Sequence, residues 1–298
     1  MPFYEHNETK MYYETEGEGI PFLIIHGWAI DHRFTRNMME PVFEALRFPT
    51  PESPFVDEAN EVAESPAATK TFETAKEFKR IYIDVPGMGL SLPGKITTGD
   101  GILEVIDSFM NDTFPNEKFC IGGNSFGAGI SRAYTAKHPE KILALLLIVP
   151  STGKLGKVPV NSVAEKDETF LATLSPKEKA AFSCMNAILT EESWKKFKND
   201  VYPSVLINED NEYLHGILHG TFSFDIDSAQ RKHPFRGPVY IICGSHDTAV
   251  GYEDQKKWLD LYPNSLYKLI EKAGHNIFVD RPEEFTLAVA EWINSLNF

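Results

Sequence analysis

The stretch GNSFG (Gly123–Gly127) decides how this chain is interpreted. It has the form G-x-S-x-G. The apolar run before it, at 118–122, predicts a short buried strand, and residues 128–138 predict a helix. A serine on such a strand-to-helix turn is held in a strained conformation with its hydroxyl pointing outward, and the glycines avoid clashes with neighbouring elements. The pattern therefore predicts that Ser125 is a nucleophile.

A serine hydroxyl is a weak nucleophile, so it needs a base and an anionic group that orients the base. His275 follows the strand-like run Leu266–Ile270, and Asp247 follows the run Val239–Cys243. Because the carboxyl ends of parallel strands lie at one edge of a sheet, we expect both side chains at the edge that carries Ser125. The chain order Ser…Asp…His is typical of catalytic sets built on this turn.

An anionic tetrahedral intermediate needs hydrogen-bond donors at its oxygen. The backbone N–H of Phe126 directly follows the nucleophile at a helix N-terminus, so it is one expected donor. The second is expected in the loop after the apolar run Pro21–Ile25, where the chain turns at His26-Gly27-Trp28. We predict that the backbone N–H of Trp28 supplies it.

Strand-like and helical patterns alternate along most of the chain, which is typical of α/β proteins. Eight strand-like runs predict a mostly parallel eight-stranded sheet flanked by helices. This core is expected at 1–150 and 234–298. Residues 151–233 show helical patterns around 165–174, 176–189 and 191–201, and they predict a helical cap inserted between two core strands.

Residues 48–74 interrupt this alternation, and they are too many for an ordinary helix-to-strand connection. The segment contains Pro49, Pro51, Pro54 and Pro66 together with several carboxylates. That composition predicts a solvated, partly disordered surface insertion. A lid or a partner-binding segment is the alternative interpretation.

Composition excludes several classes of function. The formal net charge of −14 opposes binding to phosphate backbones, so no nucleic-acid partner is expected. Cys120, Cys184 and Cys243 form no spaced cluster, which predicts reduced thiols and a cytoplasmic protein. The longest apolar run, Ile142–Pro150, is too short to span a membrane, and the N-terminus lacks a signal-peptide pattern. No metal or cofactor motif is evident; His215 and His219 lie four residues apart but lack a third ligand.

Five motifs together resemble the α/β-hydrolase fold with a helical cap. They are HGW (His26–Trp28), DVPGMGLS (Asp84–Ser91), GNSFG (Gly123–Gly127), GSHD (Gly244–Asp247) and GH (Gly274–His275), in the family's order over nearly the whole chain. The resemblance implies a serine hydrolase that uses neither metal nor cofactor, with Ser125 as its nucleophile. It does not define the substrate, because this fold hosts many reactions.

The function predicted from these residues is hydrolysis of a small-molecule ester through an acyl-enzyme. Three alternatives stay open. One is an aminopeptidase similar to proline iminopeptidases, with cap carboxylates that hold the substrate amine. The second is a carbon–carbon bond hydrolase, since GNSFG is similar to the GNSMG run of those enzymes. The third is a non-catalytic ligand receptor on the same fold. The oligomeric state is not predicted.

Several other residues near these motifs are expected to be structural. His26 is expected to hydrogen-bond nearby loops, His246 to be a loop residue, and Asp84 to bind local N–H groups with its carboxylate. Trp28 and Phe126 could line a pocket that favours a partly apolar or aromatic substrate. The aromatic residues of the predicted cap are interpreted mainly as its own core: Phe170, Phe182, Trp194, Phe197, Tyr213, Phe222 and Phe224.

Overall fold

The computed structural model describes residues 2–47, 77–152, 157–217 and 226–298. Within these ranges the strands are β1 (Phe3–His6), β2 (Thr9–Glu16), β3 (Ile20–Ile25), β4 (Phe78–Ile83), β5 (Phe119–Asn124), β6 (Ile142–Ile148), β7 (Glu165–Lys166), β8 (Ile188–Leu189), β9 (Val239–Gly244) and β10 (Ser265–Ile270). The segment predicted as a surface insertion at 48–74 lies outside the described residues, as do His219, Phe222 and Phe224.

The helices flank these strands in chain order. They are α1 (His32–Arg47), α2 (Gly99–Thr113), α3 (Phe126–Lys137), α4 (Glu168–Leu171), α5 (Pro176–Met185), α6 (Glu191–Asp200), α7 (Tyr202–Leu206), α8 (Glu212–Ile217), α9 (Ile226–Lys232), α10 (Ile277–Asp280) and α11 (Pro282–Ser295). Within the described ranges, none of them combines the length and the apolar character needed to cross a bilayer.

Eight strands form one sheet in the order β1-β2-β4-β3-β5-β6-β9-β10. The β1–β2 and β2–β4 pairs are antiparallel, and the remaining pairs are parallel. This confirms the predicted mostly parallel eight-stranded sheet. Because β3, β5, β6, β9 and β10 run in the same direction, the loops that follow them lie at one edge of the sheet.

Both faces of the sheet are buried, which explains why its central strands are apolar without alternation. Along β3, Phe22 and Ile24 belong to the hydrophobic cluster that includes α1 and α11. Leu23 and Ile25 belong to the cluster on the opposite face, which includes α2 and α3. The sheet is therefore covered by helices on both sides, as the alternating pattern predicts.

The residues between β6 and β9 contain α4 to α9, and we call this segment the insert. Phe182, Trp194 and Phe197 pack together in it, with the Phe182 ring centroid 5.3 Å from each of the other two. They are buried in the same hydrophobic cluster as Phe34 of α1. These three aromatic residues therefore form core, as expected, and the insert shares that core with the sheet.

The prediction was wrong in detail at two places in the insert. The helix predicted at 176–189 ends at Met185, because Asn186 is extended, with φ −108° and ψ 143°. The helix predicted at 165–174 is limited to Glu168–Leu171. Glu165–Lys166 and Ile188–Leu189 instead pair as a parallel two-stranded sheet, and strands of two residues carry no periodicity that sequence could reveal.

Candidate active site

Ser125 lies on the turn between β5 and α3 and has a strained backbone. Its φ of 53° and ψ of −115° are unfavourable for a residue with a Cβ atom. The turn is held in place because the Ser125 N–H donates to the carbonyl oxygen of Ile148 at 2.9 Å. The hydroxyl of Ser125 makes no capping bond to α3. The strained strand-to-helix turn predicted at Ser125 is therefore present.

The two glycines of GNSFG allow β3 to approach this turn closely. A Cβ atom on Gly123 would lie 2.5 Å from the carbonyl oxygen of Ile25, and one on Gly127 would lie 2.2 Å from the same atom. Since neither distance is tolerated, both positions require glycine. The expected clash with neighbouring elements is confirmed.

Asp247 and His275 are in direct contact. His275 Nδ1 lies 2.8 Å from Asp247 Oδ2, and the Asp247 side chain is fully buried. The other carboxylate oxygen accepts hydrogen bonds from the backbone N–H groups of Ala249 (2.9 Å) and Val250 (3.0 Å). An ionised carboxylate can only accept, so a neutral His275 that hydrogen-bonds to it carries its proton on Nδ1 and keeps the lone pair on Nε2.

The HGW loop lies against the turn that carries Ser125. A Cβ atom on Gly27 would come within 3.4 Å of Ser125 Cβ and 3.1 Å of Asn124 Nδ2. The rings of Trp28 and Phe126 meet edge to face, with centroids 5.1 Å apart. Phe126 is the first residue of α3, so its N–H lies at the positive end of the helix dipole. The two residues predicted as oxyanion donors are therefore neighbours beside Ser125.

A buried glutamine joins the turn of Ser125 to the loop of Asp247. The N–H of Ser151 donates to the carbonyl oxygen of Ser125 at 3.2 Å. Gln255 Nε2 donates to the carbonyl oxygen of Pro150 at 2.9 Å. It also donates to the carbonyl oxygen of Val250, in the loop that follows Asp247, at 3.2 Å. Sequence reasoning missed Gln255, because no motif marks a buried amide that bridges two loops.

His26 and Asp84 have the structural roles expected of them. The fully buried His26 has Nδ1 2.7 Å from the carbonyl oxygen of Gly27, and its Nε2 accepts from the N–H of Val85 at 2.9 Å. Burial lowers the pKa of His26, so the ring is neutral. Asp84 accepts from the N–H of Leu90 at 2.7 Å. Neither residue is available as a base or acid for Ser125.

His32 is a buried partner of Asp84 that sequence reasoning missed. Asp84 Oδ1 accepts from the His32 backbone N–H at 2.7 Å and lies 2.8 Å from His32 Nδ1. Burial opposes the charge of His32, but the hydrogen bond and charge of Asp84, with Asp31 and Glu14 nearby, raise its pKa. Burial likewise opposes the charge of Asp84, while the hydrogen bond and charge of His32 and the hydrogen bond from the Leu90 N–H lower its pKa. The pair is a buried ion pair behind the site.

Asp31, His32 and Asp84 could in principle hold a cation, since their ligand atoms lie within 4.8 Å of one another. Each is already engaged with protein groups. His32 and Asp84 bind each other, and Arg33 Nη2 donates to Asp31 Oδ2 at 2.6 Å. Asp31, His32 and Asp84 therefore form local hydrogen bonds with protein groups.

His246, the neighbour of Asp247, has Nδ1 3.0 Å from the hydroxyl of Ser245. It therefore hydrogen-bonds within its own loop.

Two surface pockets lie away from this edge of the sheet. One, of about 440 Å³, is lined by charged residues of β2, α1 and β4. The other, of about 390 Å³, lies between the β1–β2 turn and the start of α2. Neither is lined by a predicted site residue, and we assign no function to them.

The family model of the alpha/beta hydrolase fold matches residues 20–282. The chain therefore belongs to the α/β hydrolase fold family, and this membership supports a hydrolase. An α/β superfamily hydrolase from Oenococcus oeni PSU-1 is similar over 100% of both chains, at 22% identity and a TM-score of 0.77. An esterase from Exiguobacterium antarcticum is similar over 96% of both chains, at 17% identity and a TM-score of 0.66.

A further similarity is to monoacylglycerol lipase ABHD6 of Bos taurus, which is 21% identical over 244 residues. The match covers 74% of this chain and 69% of that protein. At such identities the resemblance in structure shows the fold alone.

Proposed function

We propose that this protein is a serine hydrolase that cleaves a small-molecule ester through an acyl-enzyme. The contact of 2.8 Å between His275 Nδ1 and Asp247 Oδ2 carries this proposal, because it leaves Nε2 of His275 as a base. The strained turn of Ser125 follows a strand of the same sheet and ends at the same edge.

In the first step His275 Nε2 takes the proton of Ser125 as the hydroxyl attacks the ester carbonyl carbon. Asp247 holds the imidazole in the required tautomer and stabilises the imidazolium that forms. Collapse of the tetrahedral intermediate breaks the bond to the alcohol, and His275 returns the proton to that leaving group. The acyl group remains on Ser125.

The developing oxyanion is bound in our proposal by the backbone N–H groups of Trp28 and Phe126. Their side chains meet beside Ser125, which supports this assignment. Loss of one such donor costs about 100-fold or more in rate. Water, activated by His275 Nε2, then attacks the acyl-enzyme and releases the acid, with the proton passing through the same imidazole.

The nucleophile is tested by Ser125→Ala, with Ser131→Ala as the matched control. Ser131 lies on α3, is fully buried, and donates to the carbonyl oxygen of Gly127 at 2.9 Å. Ser125→Ala should lose hydrolysis of p-nitrophenyl butyrate and labelling by a fluorophosphonate, and Ser131→Ala should keep both. Hydrolysis by Ser125→Ala at the wild-type rate would overturn the mechanism.

The role of the acid is tested by Asp247→Asn. An asparagine can keep the hydrogen bond but favours the wrong tautomer of His275, so kcat should fall by about 10⁴-fold, as in a template catalytic triad, with the fold retained. Asp254→Asn, which changes a partly exposed aspartate seven residues further along the chain, should keep near-normal kcat. Circular dichroism checks the fold of both variants. Near-normal kinetics in Asp247→Asn would assign the acid elsewhere.

The insert is our candidate for the cap that encloses the substrate. Asn208 Oδ1 accepts from the N–H of Gly89 at 3.0 Å, and Asn211 Nδ2 donates to the carbonyl oxygen of Gly87 at 2.8 Å. These bonds attach the insert to a loop at the carboxyl edge of the sheet. Together with the rings of Trp28 and Phe126, the arrangement favours a substrate with an apolar or aromatic part.

A substrate panel separates esters from the alternative bonds. We expect turnover of uncharged p-nitrophenyl esters and monoacylglycerols, with little turnover of aminoacyl-naphthylamides or of vinylogous diketones that carbon–carbon bond hydrolases cleave. Preference for the aminoacyl compounds would favour an aminopeptidase. Absence of both turnover and fluorophosphonate labelling at Ser125 would favour a ligand receptor.

A further inference from the structure

Three backbone N–H groups converge on the buried carboxylate of Asp280 at the end of α10. Asp280 Oδ2 accepts from Gly274 at 2.7 Å and from Ala187 at 2.8 Å, and Oδ1 accepts from Ile188 at 3.1 Å. The residue is only 5% exposed. In the described part of the chain no ion pair joins Asp280 to a cation, so these N–H groups are the partners of its carboxylate.

The three donors come from two different parts of the molecule. Gly274 directly precedes His275, while Ala187 and Ile188 belong to the insert, at the start of β8. One carboxylate therefore binds the loop of the proposed base and the insert at the same time. The insert reaches this position because its chain leaves the helical conformation after Met185.

Further contacts hold the same two segments together. Asn276 Nδ2 donates to Asn186 Oδ1 at 2.7 Å, and the Asn276 N–H donates to the carbonyl oxygen of Met185 at 3.1 Å. A Cβ atom on Gly274 would lie 2.8 Å from the carbonyl oxygen of Met185. The His275 loop is thus held by the Asp247 contact on one side and by the insert backbone on the other.

We propose that Asp280 is a positioning residue that fixes the His275 loop by binding it and the insert together. The inference rests on the proposed function, in which His275 is the base. Asp280 does not touch the reacting atoms in this proposal. It determines where the His275 ring stands when Ser125 is deprotonated.

The chemistry of the three donors supports this role. Burial raises the pKa of Asp280 to about 7, even though the bonds from Ala187, Gly274 and Ile188 oppose the rise. Above that pKa the carboxylate is ionised and presents acceptors on both oxygens, so it can serve all three N–H groups at once. An asparagine whose oxygen takes the place of Oδ2 can still accept from Gly274 and Ala187, but its NH2 group then faces the Ile188 N–H, so one acceptor is lost and two donors oppose each other.

The test compares Asp280→Ala, Asp280→Asn and a matched control, Asn208→Ala. Asn208 is also 5% exposed and also joins the insert to the core through a backbone N–H, but on the Gly89 side. A displacement of about 1 Å in a catalytic group can cost about 100-fold in rate. With p-nitrophenyl butyrate we expect kcat to fall about 100-fold in Asp280→Ala and about 10-fold in Asp280→Asn, with KM within about threefold. Asn208→Ala should stay within about threefold of wild type in kcat.

Two results would overturn the positioning role. Equal losses of kcat in Asp280→Ala and Asn208→Ala would mean that docking of the insert in general controls activity. Normal kcat in Asp280→Asn, with faster amide exchange at Ala187 and Ile188, would mean that Asp280 only anchors the insert. If Asp280→Ala fails to fold, Asp280→Asn takes its place in the comparison with Asn208→Ala, and equal losses of kcat would again overturn the positioning role.

A readout without substrate separates this inference from the proposed function. The imidazole resonances of His275 are measured by ¹H–¹⁵N NMR in the wild type and in Asp280→Asn. We expect them to shift and broaden in the variant. If the wild type neither hydrolyses esters nor labels with fluorophosphonate, the proposed function fails. Unchanged His275 resonances would then overturn the positioning role by themselves.

Discussion

At the scale of single residues, the backbone of Ser125 shows a conflict between stability and chemistry. With φ 53° and ψ −115° it occupies a region that glycine enters without penalty. A residue with a Cβ atom in such a region costs on the order of 1–3 kcal/mol. In the proposed function this strain is the cost of placing a hydroxyl on the turn, so a substitution that relieves the strain should stabilise the fold.

Ser125→Gly should therefore be inactive and more stable than Ser125→Ala. Both variants lose the hydroxyl, but only glycine relieves the strain, which is partly offset by the greater freedom of glycine in the unfolded chain. We expect a free energy of unfolding about 1 kcal/mol higher for Ser125→Gly, measured by urea denaturation. Equal or lower stability of the glycine variant would contradict stored strain at this turn.

The buried pair of His32 and Asp84 makes a prediction about pH. His32 has a raised pKa, so its stabilisation is complete below the unfolded value of 6.5 and is lost as the pH rises through the folded value. Asp84 has a lowered pKa, so its contribution is present above 3.8 and is lost as the pH falls through the folded value. The pair should contribute most between these two reference values.

His32→Asn should remove the charge of the ring and keep a donor near Asp84. The loss in free energy of unfolding should be largest near pH 5–6 and should shrink above pH 6.5. Burial lowers the pKa of His138, so His138→Asn should show the opposite trend, with a loss that grows as the pH rises. Urea denaturation from pH 5 to pH 9 measures both. Parallel pH profiles for the two variants would contradict the assignment.

At the scale of elements, α3 contains two glycines with opposite requirements. A Cβ atom on Gly127 would lie 2.2 Å from the Ile25 carbonyl oxygen of β3, whereas one on Gly129 would meet no atom within 4 Å. The first glycine permits the helix to approach the sheet. Gly129 makes no such close contact, so at this position glycine only lowers the stability of the helix relative to alanine.

Gly127→Ala should consequently destabilise the fold, and Gly129→Ala should stabilise it. Overpacking costs about 1–3 kcal/mol or more, and it falls here on backbone that cannot rotate away. Alanine is favoured over glycine in a helix interior by about 0.8–1.0 kcal/mol. The two free energies of unfolding, compared with wild type by urea denaturation, should differ in sign. Destabilisation by both substitutions would mean that α3 does not tolerate side chains on its Gly129 face.

The elements differ in how far sequence predicts them, and the reason is local. β5 and α3 follow from an apolar run and a G-x-S-x-G turn, so their order and their edge of the sheet are predictable. The end of α5 at Met185 is not, because the chain leaves the helix to offer Ala187 and Ile188 to Asp280, about ninety residues away in sequence. Asp280 itself is the last residue of the four-residue helix α10 and carries no motif.

At the scale of the whole molecule, the insert and the sheet share one hydrophobic cluster. Phe182 and Trp194 of the insert belong to the same buried cluster as Phe34 of α1 and Ile242 of β9. Polar bonds through Asp280 and Asn208 attach the insert at two further places. A segment that buries its aromatic residues in the common core cannot unfold alone without exposing that core, so the two parts should unfold together.

The three cysteines make this cooperativity measurable. Cys184 on α5 is exposed, whereas Cys120 on β5 and Cys243 on β9 are buried. Burial raises the pKa of the Cys243 thiol to about 12, which suppresses its reactive thiolate in the folded state. A maleimide fluorophore should therefore label Cys184 selectively and report on the insert, while a second thiol reagent reports on the sheet.

Urea should then give one midpoint for both parts of the molecule. The fluorescence of the Cys184 label and the reactivity of Cys120 and Cys243 should change over the same range of urea, as two-state unfolding requires. Cys184→Ser provides the control, since it should remove the fluorescent signal without moving the midpoint of the buried thiols. An early transition at Cys184, with Cys120 and Cys243 still protected, would show that the insert opens separately. The shared cluster would then contribute less to holding it than the buried contacts indicate.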